Sequence, residues 1–245
     1  MVGPRRDNRM VASNLLLTLF GTGMLWVGWF GFNGGSAGAA GHDAAFANLV
    51  THLSASMAGL VWMALDYMET KKTSIIGLCT GCVAGLAAVT PAAGSVGPLG
   101  GVLLGTISAI VCRFFSTTVK NDVLKIDDSL DVFGVHGVGG FVGTILLAVL
   151  GQPLFGGFVE APMIKQLSIQ TAAAVGCVIY TGIASWLALK ATAAITGGLR
   201  VPAELEDGDG LDMHTHGETL YTITKSTEGV TLDSMDGTTE SPVLA

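Results

Sequence analysis

His136 is the residue whose chemistry first asks for an explanation. It sits in Asp131-Val-Phe-Gly-Val-His136-Gly-Val-Gly-Gly, and no charged residue occurs from Val132 to Val159. On a helix it lies about 8 Å beyond Asp131 along the axis. An ionisable group that deep in an apolar span is costly, and by default it marks a substrate or proton path. Its imidazole also exchanges a proton near neutral pH. A hydrogen-bonded packing histidine is the plainer alternative, and the residue pattern leaves both open.

Trp29, Phe32 and Ser36 form the second constellation, at i, i+3 and i+7 on one helix face if the helix persists. Gly34 and Gly35 favour a break there, which would put Ser36 in a loop or an unwound turn. Aromatic faces attract cations, and a nearby hydroxyl can accept a hydrogen bond from one. The plainer reading is an aromatic belt at a membrane surface. Asp127, Asp128 and Asp131 crowd the start of the His136 span. Helix capping and dipole compensation explain them more simply than a cation site, with Asp131 as the expected N-cap.

The remaining reactive types carry less. Cys79-Thr-Gly-Cys82 has redox spacing, but it lies in an apolar helix with no neighbouring base. His42 and His52 read as surface or loop residues, and His214 with His216 lacks a third metal ligand. The chain has no phosphate-binding loop, nucleophile elbow or H-E-x-x-H. The expectation is therefore no enzyme, no cofactor and no metal.

The elements that position these residues follow from composition. The chain of 245 residues is 50% hydrophobic with 35 glycines, only 13% charged, and has a mean hydropathy of +0.60. Ordinary soluble domains carry about 25% charge, so the solvent implied is lipid. The net charge of −7 argues against a nucleic-acid partner. Residues 1–195 hold ten Lys/Arg and nine Asp/Glu, whereas residues 196–245 hold two against ten. A nearly neutral body thus precedes an acidic, polar tail. The apolar run from Met10 is far too long for a signal peptide.

Charge-free runs of transmembrane length predict six spans, at roughly 11–32, 43–66, 74–91, 98–119, 131–150 and 166–194. The run from Thr73 to Cys112 is divided at Thr90-Pro91-Ala92-Ala93-Gly94 and Gly97-Pro98. Six spans put both termini on one side with eleven Lys/Arg, leaving only Lys165 on the other. The positive-inside rule makes that side cytoplasmic. Glycines at four-residue spacing, such as Gly77, Gly81 and Gly85, suit close helix packing in lipid. The fold class expected is an all-α polytopic membrane bundle.

Ordered motifs then carry a resemblance. Gly28-Trp-Phe-Gly-Phe-Asn-Gly-Gly-Ser-Ala37, Gly85-Leu-Ala-Ala-Val-Thr-Pro-Ala-Ala-Gly94 and the segment from Asp127 to Gly140 resemble the ammonium transporter (Amt/Mep/Rh) family. So do Gly198-Leu-Arg-Val-Pro202, Gly210-Leu-Asp and His216-Gly-Glu218, and the likeness runs from near residue 5 to about residue 221. Family members usually have eleven spans, built as two inverted five-helix halves plus a final long helix, in trimers with one pore per subunit. This chain resembles spans six to eleven: one half of the inverted repeat plus the final helix.

The resemblance implies roles. Ser36 looks like the outer-site serine that hydrogen-bonds ammonium, and Phe32 like one of two stacked gating phenylalanines. Trp29 looks like the tryptophan lining the pore, and His136 like the second of two pore histidines. Ammonium is captured outside, loses its proton, and crosses largely as ammonia. The other histidine and phenylalanine belong to the half this chain lacks. In some plant relatives a regulatory threonine stands where this chain has His214. The function implied is ammonium/ammonia transport across the plasma membrane by a truncated or partial chain, as a homotrimer or with full-length subunits. The alternative is a transport-inactive half acting as an interaction or sensor subunit.

Overall fold

The computed structural model describes residues 12, 14–200, 211–218, 222–226 and 229–233. Six long or medium helices make up most of it: α1 (Leu15–Gly35), α2 (His42–Thr70), α3 (Ile75–Val89), α4 (Pro98–Phe114), α5 (Val138–Leu150) and α6 (Met163–Thr196). The chain divides into two compact units at Trp186, within α6.

Local chemistry sets the helix ends. Asn14 caps α1, its side-chain oxygen accepting from the Leu17 N–H at 2.9 Å. Ser74 caps α3 in the same way through Gly77 N. Pro98 opens α4, where its missing N–H costs nothing. Between α3 and α4 the chain turns through Thr90–Val96, with Ala92 N on Val89 O at 2.8 Å and Val96 N on Ala92 O at 3.0 Å. That is the break the proline and glycine pattern predicts.

Within unit 3–185, α2 is the central helix, packed between α3 and α4. Ser54 lies in the middle of this contact, and both Gly85 of α3 and Gly105 of α4 press on its backbone. A Cβ on Gly85 would stand 2.5 Å from the Ser54 carbonyl oxygen, so no larger residue lets the helices approach this closely. Ser54 Oγ donates to the Gly85 carbonyl at 2.9 Å, a hydrogen bond across the same contact. Packing of this kind replaces the hydrophobic effect when the solvent is hydrocarbon. A second apolar cluster gathers Val50, Val89, Val96, Leu104 and Leu147.

Among the described residues five helical stretches are long and apolar enough to cross a membrane: Leu15–Gly35, His42–Thr70, Pro98–Leu124, Val132–Leu150 and Met163–Thr196. The sixth, α3, is apolar but has only 15 residues, about 22 Å of helix. Long apolar side chains line the outside, among them Phe20, Met24 and Val27. The body of the protein is an integral, multi-pass, helical membrane bundle.

Among the described residues two stretches adopt π geometry. Phe115–Leu124 continues α4 as a π-helix, and Val132–Gly137 is a π-helical turn that leads into α5. Lys125 and Asp131 flank the loop between them, both left-handed, at φ 50° and 54°. A short 3₁₀ turn, Pro153–Phe155, follows α5. The acidic tail holds α7 (Leu211–His216) and a hairpin of β1 (Thr222–Ser226) and β2 (Gly229–Asp233), with Thr222 opposite Asp233 and Ser226 opposite Gly229. The sequence reading did not anticipate this hairpin.

Candidate functional site

Trp29 is the hub. It lies half-buried in the second half of α1, and its indole N–H donates to Thr90 Oγ1 at 2.7 Å. Thr90 passes its own proton back to the Leu86 carbonyl at 2.7 Å, so its hydroxyl has a fixed direction. The indole is therefore oriented from the far end of α3.

One face of that indole meets His136. The two rings are nearly parallel, at 13°, with centroids 6.3 Å apart. Phe32 stands 6.3 Å from the same indole, tilted by 59°. The structure thus brings Phe32, Trp29 and His136 together in a row. Phe32 is 64% exposed and His136 is exposed as well, so the row faces outward from this chain. Among the described residues no hydrogen bond reaches the His136 ring.

Ser36 lies one turn beyond Phe32. The helix ends where Gly34 and Gly35 lead one to expect: α1 stops at Gly35, and Ser36 is its C-cap and opens a turn. Gly34 lies against the Asn48 side chain of α2, where a Cβ would stand 2.5 Å from Asn48 Oδ1. Ser36 Oγ donates to the Phe32 carbonyl at 2.7 Å. With that proton committed, its exposed oxygen offers only lone pairs to an outside donor.

The start of the His136 turn is held by acids, with a change of role. Asp131 occupies the residue before the turn, but its side chain caps no backbone N–H. Asp128 does the capping instead: its two oxygens accept from Val132 N at 2.9 Å and Phe133 N at 2.8 Å. Asp131 pairs with the ammonium of Lys120. Burial pushes the Asp131 carboxyl above the usual aspartate range, although Lys120 pulls the other way.

Neighbouring polar groups complete the α1–α2 wall. Asn33 donates to Thr51 Oγ1 at 2.9 Å, both buried. His52 is exposed on α2, with Trp26 5.3 Å and Phe30 6.1 Å from its ring. Deeper toward the Lys71 end of α2, Arg113 pairs with Asp66 at 3.0 Å and with Glu69. Cys79 and Cys82 are buried and unbridged, and His42 begins α2. Among the described residues no three His, Cys, Asp or Glu converge on one point.

Sequence reasoning missed Thr90 and Lys120. Thr90 lay inside a motif already quoted, and a hydroxyl just before Pro91 was the only hint. Lys120 was counted with the cytoplasmic positive charges, which hid its burial.

Comparison with known proteins bears on the whole arrangement. The model of the Ammonium Transporter Family matches residues 1–221. An ammonium transporter of Aquifex aeolicus is 38% identical over 228 residues, covering 91% of this chain and 52% of the relative. The crystal structure of Saccharomyces cerevisiae Mep2 is 32% identical, with a TM-score of 0.73 over 85% of this chain and 51% of Mep2. A structure described as a sensor Amt protein is 31% identical, with a TM-score of 0.77 over 86% of this chain and 51% of that one. The chain spans about half the length of the relatives it matches.

Proposed function

The chain belongs to the ammonium transporter family, and on that premise we propose that it forms one wall of a path for ammonium and ammonia across the plasma membrane. The observation that carries this reading is the row Phe32–Trp29–His136, with Ser36 one turn away on the same exposed face. Ser36 accepts a hydrogen bond from ammonium outside the membrane, and the Phe32 and Trp29 rings favour the cation electrostatically. Beyond them the path is apolar, and a bare cation there is expensive. A neutral ammonia costs far less, so ammonium hands its proton to the His136 imidazole beyond the rings, and the ammonia moves on. The opposite wall comes from a second inverted half, because transporters of this kind place their sites between halves. The working assembly is a homotrimer or a complex with full-length subunits. Both ends of this chain face the cytoplasm, where eleven of its twelve Lys/Arg then lie.

The test is growth on low ammonium of cells that lack their own transporters. The complete coding sequence restores growth, and the double variant Ser36→Ala/His136→Ala does not. Normal growth of the double variant refutes the site.

The likeness to a sensor Amt protein favours a second reading, in which the chain associates with full-length subunits and reports on ammonium without conducting it. Co-purification with a full-length relative, with ammonium uptake unaltered by Ser36→Ala/His136→Ala, supports that reading over the first.

A further inference from the structure

Lys120 is a buried cation beside the His136 turn, and its side chain is only 6% exposed. Its ammonium pairs with the Asp131 carboxylate and donates to the Asp128 carbonyl at 3.1 Å. Asp128 in turn fastens the first two N–H groups of the turn, those of Val132 and Phe133. Two further contacts come from the same face of α4 and its π-helical extension, at four-residue intervals. Ser116 is pressed against Gly134, where a Cβ would collide with its hydroxyl. The Cys112 thiol faces the Val135 carbonyl at 3.9 Å. Cys112, Ser116 and Lys120 therefore lie along the turn from Val135 through Gly134 to Asp131.

What this face holds is an unusual conformation. A π-turn carries one residue more than an α-turn, and that residue rotates every later side chain by roughly 100° about the helix axis. Whether Val132–Gly137 is π or α therefore decides which way His136 faces. Isolated π-turns are rare and need external support. Asp131 adds a left-handed backbone at φ 54°, uncommon for a non-glycine residue although Asp tolerates it better than most.

We infer that Lys120, acting through Asp131 and Asp128, is a positioning residue that keeps Val132–Gly137 in its π form and so aims His136 at Trp29. The ion pair makes little sense as a source of stability. Buried pairs are often neutral or worse than apolar residues of the same size. Its geometric effect is specific: it fixes the one residue from which the turn departs. The consequence for transport rests on the reading of His136 as a path residue, whereas the consequence for ring position does not.

The test separates the two. The complete protein is labelled with ¹⁵N-histidine, and the His136 signal among the chain's five histidines is assigned by its loss in His136→Gln. In the native protein the Trp29 ring current displaces the His136 ring protons, and Trp29→Leu gives the undisplaced value. Lys120→Met moves the His136 signal at least halfway to that value and lowers methylammonium uptake about tenfold or more, as expected for a misplaced reacting group. The swapped pair Lys120→Asp/Asp131→Lys restores both. Asp131→Asn keeps the side-chain size, gives the same shift, and decides the matter if Lys120→Met does not reach the membrane. A His136 signal unmoved in the charge-removing variants overturns the inference. Uptake unaffected by His136→Ala removes the transport reading instead, and leaves the ring signal to judge the positioning.

Discussion

Thr90→Val is the most informative small change in the site. It keeps the β-branched shape and removes the one acceptor of the Trp29 indole N–H, now bonded at 2.7 Å. A neutral buried hydrogen bond is worth about 1 kcal/mol net, and a donor left unsatisfied costs about 1–3 kcal/mol. Bonds between membrane helices fall at the low end of that range. Trp29 is only half-buried, so about 1 kcal/mol is the appropriate figure, roughly a fivefold shift in the balance of indole orientations. Thr90→Val also removes the hydroxyl bond to the Leu86 carbonyl within the same helix. The assay is the set of four tryptophan indole N–H resonances together with methylammonium uptake. One resonance moves upfield in Thr90→Val, and uptake falls about two- to fivefold. Thr90→Ser, which keeps the hydroxyl, leaves both near their native values. Four unmoved resonances refute the claim that Thr90 orients Trp29.

Three more outcomes follow from packing and charge. Gly85→Ala forces a methyl against the Ser54 carbonyl, and overpacking of this kind costs about 1–3 kcal/mol; Gly94→Ala meets nothing within 4 Å, so the thermal midpoint falls in the first variant and holds in the second. Arg113→Met leaves Asp66 without its partner at a site where both side chains are largely shielded, and breaking such a pair costs about 3 kcal/mol or more, read as a lower midpoint that Arg113→Lys partly recovers. The raised Asp131 carboxyl contributes stability that is fully present below the unfolded aspartate value and is lost as pH rises through the higher folded one; Asp131→Asn abolishes that slope in unfolding measured from about pH 3.5 upward, and an unchanged slope contradicts it.

The helical class was legible because charge is nearly absent over long runs, and only helices or closed barrels can bury a backbone in lipid. The turn after α3 was legible from Thr90-Pro91 and Gly97-Pro98. The end of α1 was legible too: the Gly34–Gly35 pair reads as a break, and the helix stops at Gly35 with Ser36 opening a turn. Composition does not mark π geometry, because one extra residue per turn leaves no signature in an apolar run. For the same reason Asp131 read as the cap, while the cap contacts come from Asp128, three residues earlier. The Trp29–Thr90 bond joins residues 61 apart, beyond the reach of any periodicity. The burial of Lys120 was not legible, because the positive-inside rule counts charges and is blind to a lysine that folds inward to meet an aspartate.

Proteoliposomes carrying the purified complete protein, with an ammonium gradient and an internal pH dye, test the central claim most directly. The account predicts ammonium-dependent uptake in the native protein and its loss by at least about tenfold in His136→Ala, with Trp29→Leu intermediate. Equal uptake by all three would contradict the claim that the Phe32–Trp29–His136 row lines the path.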